Sequence, residues 1–294
     1  MRKMSQIYLQ TDGNHIYLFM THEKGKENSY LRYDLHHCVE PYNGGTYQNM
    51  DLWRLYELYA YELRDGKMVE TIPYKLINGG EWECAIQIKD TRDFHGGIHG
   101  YEHHKAVSAK INGEPFAFPG TPFEGWIDTF EFEQESIIIQ QETKDTPAAK
   151  HIKQYLFKDG KIDLHQEVEW LYDCTLVNLF FTMYPIRRTS DDTPNGEQIS
   201  DRLIYGGDPV VYDVGPVGHT NGKARTGITH AKIWGEELGI YSEVAVNYDQ
   251  QPTDVFFVRN DETYNKMYFS TARDKDVKKG DLFKMDTTFE AYRK

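Results

Sequence analysis

The sequence predicts an all-β protein, a large and mainly antiparallel β-sandwich with few short helices. Three observations lead to this prediction. Polar and apolar residues alternate along most of the 294 residues, which is the pattern of half-buried strands. Asp-Gly or Asn-Gly pairs, which favour tight hairpin turns, separate several of these runs. No segment shows a sustained apolar period of 3.6 residues, so long amphipathic helices are not expected.

The alternation is clearest in two segments. Residues 81–89 have the sequence Glu-Trp-Glu-Cys-Ala-Ile-Gln-Ile-Lys, and residues 161–170 have the sequence Lys-Ile-Asp-Leu-His-Gln-Glu-Val-Glu-Trp. Almost every second residue is apolar in both, so each segment is predicted to be a strand with one buried face. Hairpins are predicted at Asp65-Gly66, Asn112-Gly113 and Asp159-Gly160, because strand-like sequence flanks each pair.

Further strands follow the same pattern. They are predicted at residues 15–20, 30–35, 126–132, 175–183, 227–234, 239–248, 254–259, 264–270 and 281–292. Residues 53–63 fit neither period well, and a strand is predicted there because a hairpin turn follows. The polar stretch 187–202 has strand-like sequence of the same character on both sides. We therefore expect a loop there, not a linker, and a single domain over residues 1–294.

Charge and missing motifs exclude several function classes. Lys and Arg number 33 and Asp and Glu number 46, so the net charge is −13, which argues against a nucleic-acid binder. No stretch approaches the roughly 18 apolar residues of a membrane span. The amino terminus lacks the apolar core of a secretory signal. We therefore expect a protein in solution, either cytoplasmic or secreted with its signal peptide absent from this chain. Nucleotide-binding and α/β-hydrolase motifs are absent.

Residues 93–104, Asp-Phe-His-Gly-Gly-Ile-His-Gly-Tyr-Glu-His-His, are the densest cluster of chemically capable side chains. They hold four of the 12 histidines, and histidine moves protons near neutral pH. The glycines permit a turn and the close approach of a ligand. We predict a functional site here without a cofactor. If a divalent metal is bound, its predicted ligands are His95, His99, Glu102 and His103.

Residues His95 to Tyr101 resemble the His-Gly-Gly-x-x-Gly-Phe signature of galactose mutarotases. The resemblance implies a mutarotase-like supersandwich, with a jelly roll as the alternative, and it implies acid–base catalysis by His95. The family pattern also has a downstream Asn-His-x-Tyr-Phe segment. Here Leu179 stands at the position of that histidine, a departure that weighs against mutarotase activity and leaves the fold expectation intact.

The predicted function is that of a polysaccharide lyase, which cleaves a uronic-acid glycan by β-elimination. This reaction needs a group that neutralises the carboxylate, a base for the C5 proton and an acid for the leaving oxygen. In that order, the predicted residues are Arg187 or Arg188 together with Asn265, then His95 or His99, then Tyr101 or Tyr264. Further substrate contacts are predicted from Tyr184, Lys266, Glu102 and Trp53.

Three alternatives stay open. One is an aldose mutarotase or epimerase that uses His95, and another is a glycoside hydrolase, which needs two carboxylates across a cleft. The third is a non-catalytic glycan-binding protein. The chain contains 21 tyrosines, which suit a sugar-binding face because each has an apolar ring and a polar tip. In every case the expected partner is a polysaccharide or oligosaccharide, and the charge of −13 weighs against an anionic one.

Overall fold

Most of the chain is β-structure. In a computed structural model of the protein, the described residues are 7–22, 26–39, 48–73, 75–77, 82–91, 94–141, 143, 146–189, 200–207, 209–218, 220–236, 239–248 and 255–293. Strands account for 71% of the structure, and no helix in these ranges reaches seven residues. The predicted all-β class is confirmed. Within the same ranges, a helix with the length and apolar character of a membrane span is not found.

The strands are numbered in chain order. They are β1 (Ile7–Thr11), β2 (His15–Thr21), β3 (Ser29–Val39), β4 (Gln48–Arg64), β5 (Lys67–Glu70), β6 (Glu83–Ile88), β7 (Gly100–Ile111), β8 (Glu114–Phe116), β9 (Phe123–Ile127), β10 (Phe130–Ile139), β11 (Pro147–Lys158), β12 (Lys161–Trp170), β13 (Cys174–Arg187), β14 (Arg202–Tyr205), β15 (Tyr212–Asp213), β16 (Thr220–Arg225), β17 (His230–Trp234), β18 (Ile240–Tyr248), β19 (Phe256–Asn260), β20 (Tyr264–Val277) and β21 (Leu282–Arg293).

These strands form two sheets. The large sheet has the order β15-β14-β17-β18-β21-β12-β11-β10-β7-β4-β3-β2-β1-β9, with β5 added beside β4 and β8 beside β7. The small sheet has the order β16-β19-β20-β13-β6. Among the described strands, β4 and β7 are the one parallel pair. The sandwich prediction fits this arrangement, because the inner faces of both sheets contribute to one apolar core.

The three predicted hairpins are confirmed. Asp65-Gly66 joins β4 to β5, Asn112-Gly113 joins β7 to β8, and Asp159-Gly160 joins β11 to β12. Both residues of each pair have a positive φ, between 51° and 83°, as a type I′ turn requires. The strand predicted at residues 53–63 lies within β4. The short strands β1 and β14 to β16 were not predicted from the sequence.

The large sheet curls around the edge of the small one. Trp82, next to β6, lies 6.4 Å from the Tyr33 ring on β3 and 5.4 Å from the Phe289 ring on β21. These two strands are six positions apart, which is about 29 Å in a flat sheet. The sheet thus has two arms. One consists of β4, β5, β3, β2, β1 and β9, and the other runs from β7 to β15. The two arms meet at one end, where the Arg293 amide donates to the His22 carbonyl at 3.0 Å.

The parallel contact of β4 with β7 is short, and we call it the seam. It pairs Met50 with Glu102 and Asp51 with His103, after which the two strands diverge. Beyond the seam, side chains instead of a neighbouring strand form hydrogen bonds with the backbone N–H and C=O groups of β4. The Trp53 amide donates to Gln134 Oε1 at 2.6 Å, and Lys153 Nζ donates to the Trp53 carbonyl at 3.4 Å.

Glu102 supplies the negative charge that the buried Lys153 ammonium needs. Its Oε1 lies 4.0 Å from Lys153 Nζ and accepts from His151 Nδ1 at 2.9 Å and from the Ser136 hydroxyl. Its Oε2 accepts from the Gly97 amide at 2.8 Å. Burial alone would raise the pKa of Glu102, but these positive and donating groups outweigh it and hold the pKa well below its usual range.

This arrangement predicts that Lys153→Met strongly destabilises the fold. The change leaves the buried Glu102 carboxylate without its lysine counter-ion, which costs ~3–5 kcal/mol. The measurement is the free energy of unfolding in urea. The matched control is Lys150→Met on the same strand, where a half-exposed ion pair with Glu135 at 3.3 Å contributes ~1 kcal/mol or less. Equal losses in the two variants would contradict a structural role for the Glu102 network.

Candidate functional site

The residues predicted to catalyse elimination do not share one cleft. His95 pairs with Ile86 of β6, and Ile86 pairs with Leu179 of β13. Arg187 lies eight residues further along β13, about 25 Å away at the rise of a strand. The predicted base and the predicted carboxylate-binding arginine therefore cannot contact the same sugar ring.

The histidine-rich segment is packed into the protein. His95 has no exposed surface, and its Nδ1 lies 3.3 Å from the Ile86 carbonyl. The half-buried His99 and Tyr101 rings lie against Phe94 and His95, with centroids 5.2 and 5.6 Å apart. A fully buried imidazole cannot reach a substrate, so the structure does not give His95 the role that the mutarotase resemblance implied.

The glycines of this segment have a packing role. Gly96 has φ 86°, and a Cβ added to it would lie 3.0 Å from the Cys84 carbonyl oxygen. The next amide, that of Gly97, donates to the Glu102 carboxylate. The backbone therefore approaches β6 and Glu102 closely, where a ligand was predicted. Nor do His95, His99, Glu102 and His103 form a group with converging metal-ligand atoms.

Four predicted substrate contacts are buried. Tyr184 lies in the core between the rings of Trp82 and Phe289, and Trp53 is 1% exposed. Lys266 is 3% exposed, and its burial lowers its pKa to about 7. Glu102 belongs to the network at the seam. None of these side chains is open to a ligand. Tyr184 and Trp53 belong to the core and Glu102 is fully buried, whereas Lys266 alternates with the core residue Met267 and is covered on the other face of β20.

Three of the residues predicted for the lyase site do lie together at the end of β13. Arg187 pairs with Tyr264 across the strands, and Asn265 is the next residue along. However, Arg187 Nε donates to the Thr189 carbonyl at 2.8 Å, and Asn265 Nδ2 donates to the Ser200 carbonyl at 2.6 Å. The half-buried Arg188 follows. The buried members hold the chain on both sides of residues 190–199, which lie outside the described residues.

An aromatic groove lies on the outer face of the large sheet, away from the core. Its volume is about 440 Å³, and its lining residues are Tyr8, Gln10, Phe19, Arg32, Tyr61, Leu63, Gly66, Lys67, Met68, Glu124 and Trp126. Strand alternation explains the composition. In β1, Ile7 and Leu9 are buried in the core, so Tyr8 and Gln10 point outwards.

A row of cross-strand neighbours crosses this aromatic groove and ends at Tyr59, just beyond the lining residues. Trp126, Tyr8, Phe19, Arg32 and Tyr59 are successive partners across β9, β1, β2, β3 and β4. The ring of Trp126 lies 5.0 Å from that of Tyr8, and Tyr8 lies 5.9 Å from Phe19. Directly opposed side chains lie close enough to pack. Phe19 is only 3% exposed, so the open part of the row consists of Trp126 and Tyr8 on one side of Phe19 and of Arg32 with the tyrosines around it on the other.

Arg32 is fixed at the centre of the row. Its guanidinium donates to both carboxylate oxygens of Asp34, at 2.7 and 2.9 Å, and to the Tyr61 hydroxyl at 2.6 Å. It also lies over the rings of Tyr17, Tyr59 and Tyr61, 4.7 to 5.1 Å from their centroids. Such a bidentate and stacked arginine has a defined orientation.

Asp34 is the most perturbed carboxyl of this face. Its side chain is 3% exposed, and burial raises its pKa to about 7, against the opposing effect of Arg32. A buried, perturbed carboxyl beside an open groove is typical of functional sites. The sequence contained part of this signal, since Tyr17 and Phe19 occupy alternate positions of β2, but the pairing of β1 with β9 was not visible in it.

A second groove of about 560 Å³ crosses the outer faces of β7, β10, β11, β12 and β21, and we call it the histidine groove. Its ionisable lining residues are Lys110, Glu131, Glu133, Asp163, His165 and Asp286. His165 Nδ1 lies 2.6 Å from Asp286 Oδ1, and Nε2 lies 3.1 Å from Glu167 Oε1. Partial burial opposes protonation, but these carboxylates outweigh it and raise the His165 pKa.

No protein-family model matches the sequence, and no curated protein matches it. The fold, however, is similar to that of solved structures. The galactosidase domain of an α-galactosidase–sucrose kinase is similar over 96% of this chain and 41% of that chain, with a TM-score of 0.53 and 8% identity. A GH36 α-galactosidase from Geobacillus stearothermophilus matches over 93% and 41%, with a TM-score of 0.48 and 8% identity.

A glycoside hydrolase family 97 enzyme from Pseudoalteromonas sp. strain K8 matches over 92% of this chain and 35% of that chain, with a TM-score of 0.45 and 7% identity. The chain thus spans about two fifths of the length of the α-galactosidase chain named first. These neighbours are carbohydrate-active enzymes, and at such identities the likeness concerns the fold. The chain has a β-sandwich fold that occurs in carbohydrate-active enzymes.

The titration of Asp34 predicts how stability depends on pH. The folded state keeps the Asp34 proton up to about pH 7, and the unfolded chain releases it near pH 4. The folded state therefore binds more protons in this window, so stability falls as the pH rises from about 4 to 7, by up to ~4 kcal/mol.

Asp34→Asn cannot titrate, so it isolates this effect. The free energy of unfolding of the wild type minus that of Asp34→Asn should decrease steadily between pH 4.5 and 7.5, as measured in urea. The titration of the other acidic groups contributes equally to both proteins, so it cancels in this difference. A difference that stays constant, or that increases with pH, would show that the ionised Arg32–Asp34 pair stabilises the fold and that the Asp34 pKa is not raised.

Proposed function

We propose that the protein binds a carbohydrate in the aromatic groove. The observation that carries the proposal is the set of outward side chains Trp126, Tyr8 and Arg32 in one groove, with Arg32 fixed by Asp34 and Tyr61. Aromatic rings stack on the C–H faces of sugar rings. Gln10, Glu124 and Arg32 supply hydrogen-bonding groups beside them for the hydroxyls. The groove volume of about 440 Å³ lies within the range of about 300–1,000 Å³ typical of small-ligand sites.

The charges favour a neutral glycan. The Arg32 guanidinium already donates hydrogen bonds to Asp34 and Tyr61, and Glu124 and Lys67 add one charge of each sign to the lining of the groove. The chain as a whole carries −13, which repels a polyuronate at long range. A neutral oligosaccharide needs no excess of positive charge. It is therefore the better candidate for this groove.

These points also weigh against the lyase function. β-Elimination needs its cation, base and acid around one uronate ring. His95 is buried and is separated from Arg187 by most of the length of β13, so these residues could not act together. We therefore propose recognition of a glycan in place of its elimination.

The proposal predicts that Trp126→Ala weakens glycan binding by about tenfold, because the loss of a stacking ring costs on the order of 1.4 kcal/mol. The probes are malto-oligosaccharides, galacto-oligosaccharides and oligogalacturonates, and binding is measured by calorimetry. Binding is expected with a neutral series.

The matched control is Tyr241→Ala. Tyr241 is a half-buried aromatic residue in another stack on the large sheet, where its ring lies 5.4 Å from Tyr292. The Tyr241→Ala variant is expected to bind the glycan with the affinity of the wild type. The proposal is wrong if neither neutral series binds, or if Trp126→Ala and Tyr241→Ala reduce the affinity equally.

A second candidate function is glycoside hydrolysis in the histidine groove. The observation that favours it is the set of four carboxylates along one groove, on Glu131, Glu133, Asp163 and Asp286. Hydrolases of this kind use one carboxylic acid and one carboxylate on opposite sides of the scissile bond. The aromatic groove and the histidine groove belong to different arms of the large sheet, so binding and hydrolysis are separable by mutation.

Hydrolysis predicts that the neutral oligosaccharides release new reducing ends. Asp163→Asn or Asp286→Asn should then lower the rate by at least about a hundredfold, the usual effect of losing a catalytic acid or base. The control is Glu290→Gln, on the same strand as Asp286. The Glu290 carboxylate pairs with Lys161 at 2.9 Å, outside the groove. No release of reducing ends, or release that survives both aspartate changes, would leave glycan binding as the proposed activity.

A further inference from the structure

Two histidines converge on one aspartate at the seam. His37 Nε2 lies 2.7 Å from Asp51 Oδ1, and His104 Nδ1 lies 3.1 Å from the same oxygen. The three side chains come from β3, β4 and β7 and are 23–42% exposed. Elsewhere in the described chain, no other three His, Cys, Asp or Glu side chains bring their ligand atoms within 4.8 Å of one another.

Neighbouring groups fix the orientation of both imidazoles. The His37 ring is stacked on Trp53 at 5.1 Å with an angle of 8° between the planes. His104 Nδ1 also lies 3.0 Å from the Asp51 backbone carbonyl, a hydrogen bond in which Nδ1 is the donor and which it must give up, with its proton, to bind a metal ion. The two imidazole rings meet edge to face at 5.2 Å. The rings are therefore held in place before any ligand arrives, which lowers the entropic cost of binding one.

The arrangement differs from an ordinary histidine–carboxylate pair. His15 with Asp12, at 3.1 Å, and His230 with Glu243, at 2.6 Å, each join one imidazole to one carboxylate. At the seam, two imidazoles share one carboxylate. One negative charge cannot fully compensate two protonated imidazoles, whereas two neutral imidazoles and a carboxylate form a donor set for a divalent ion.

We propose that His37, Asp51 and His104 bind a divalent transition metal ion of the zinc type. Zinc lies about 2.0–2.2 Å from nitrogen and oxygen ligands. Tetrahedral ligand atoms at that radius are about 3.4 Å apart, so the present separations to Asp51 require movements below about 1 Å. Three protein ligands leave the fourth position open to water or to a ligand oxygen.

The ion would join the two arms of the large sheet. His37 and Asp51 belong to the arm that carries the aromatic groove, and His104 belongs to the arm that carries the histidine groove. The parallel backbone pairing at this point is short, so a metal clamp would reinforce the seam from its exposed end. This proposal does not depend on the proposed function, because neither groove contains these residues.

The test uses Zn²⁺ alone with the full chain, after treatment with a chelator and desalting. Calorimetry should find one bound ion per chain, and Co²⁺ in its place should give visible absorption bands typical of low coordination number. Asp51→Asn, which keeps the side-chain volume, and His37→Gln should each weaken Zn²⁺ binding at least tenfold. The matched control is His15→Gln, which removes a histidine from a simple His–Asp pair and should leave the affinity unchanged.

A thermal melt supplies a second measurement. Zn²⁺ should raise the Tm of the wild type and of His15→Gln, since a ligand that binds the folded state stabilises it. At the same Zn²⁺ concentration, it should raise the Tm of Asp51→Asn by clearly less than that of the wild type. The proposal is overturned if the wild type binds no stoichiometric Zn²⁺, if Asp51→Asn binds it as tightly as the wild type, or if His15→Gln loses as much affinity as His37→Gln.

Discussion

The buried pairing of Glu102 with Lys153 and His151 is the interaction on which the large sheet depends. Strands β4 and β7 pair over only a few residues, yet they join an arm of six strands to the rest of the sheet. Where their ladder ends, Gln134 and Lys153 bond the Trp53 peptide groups. The charge that makes this possible is the carboxylate of Glu102. Without it, the sheet would have to bury an isolated ammonium group, which is strongly unfavourable.

This junction also decides where function can lie. Because the inner face of the large sheet is filled by the core and the small sheet, the outer faces of the two arms are the parts of this sheet that are open to solvent in the described structure. Alternation along the strands directs polar and aromatic side chains to those faces. One arm thereby acquires the stacked row around Arg32, and the other acquires a groove lined by carboxylates and His165. The seam keeps these two surfaces in a fixed relation.

The sequence predicted the fold far better than the site. Alternation and Asp-Gly turns depend on local geometry, so strands and hairpins could be derived residue by residue. Residues 93–104 looked catalytic because histidine and glycine are common in active sites, but there Gly96 permits close packing and Glu102 is a buried counter-ion. The aromatic row depends on the pairing of Tyr8 with Trp126, 118 positions further along the chain. No local pattern reveals such a contact.

The most direct test of sugar binding in the aromatic groove is ¹⁹F NMR of protein labelled with 5-fluorotryptophan. The chain has five tryptophans, of which Trp53, Trp82 and Trp170 are at most 1% exposed, whereas Trp126 lines the groove. On titration with a neutral oligosaccharide, the resonance assigned to Trp126 should shift in a saturable manner and the three buried resonances should not. Binding detected by calorimetry without any shift of the Trp126 resonance would contradict the proposed site.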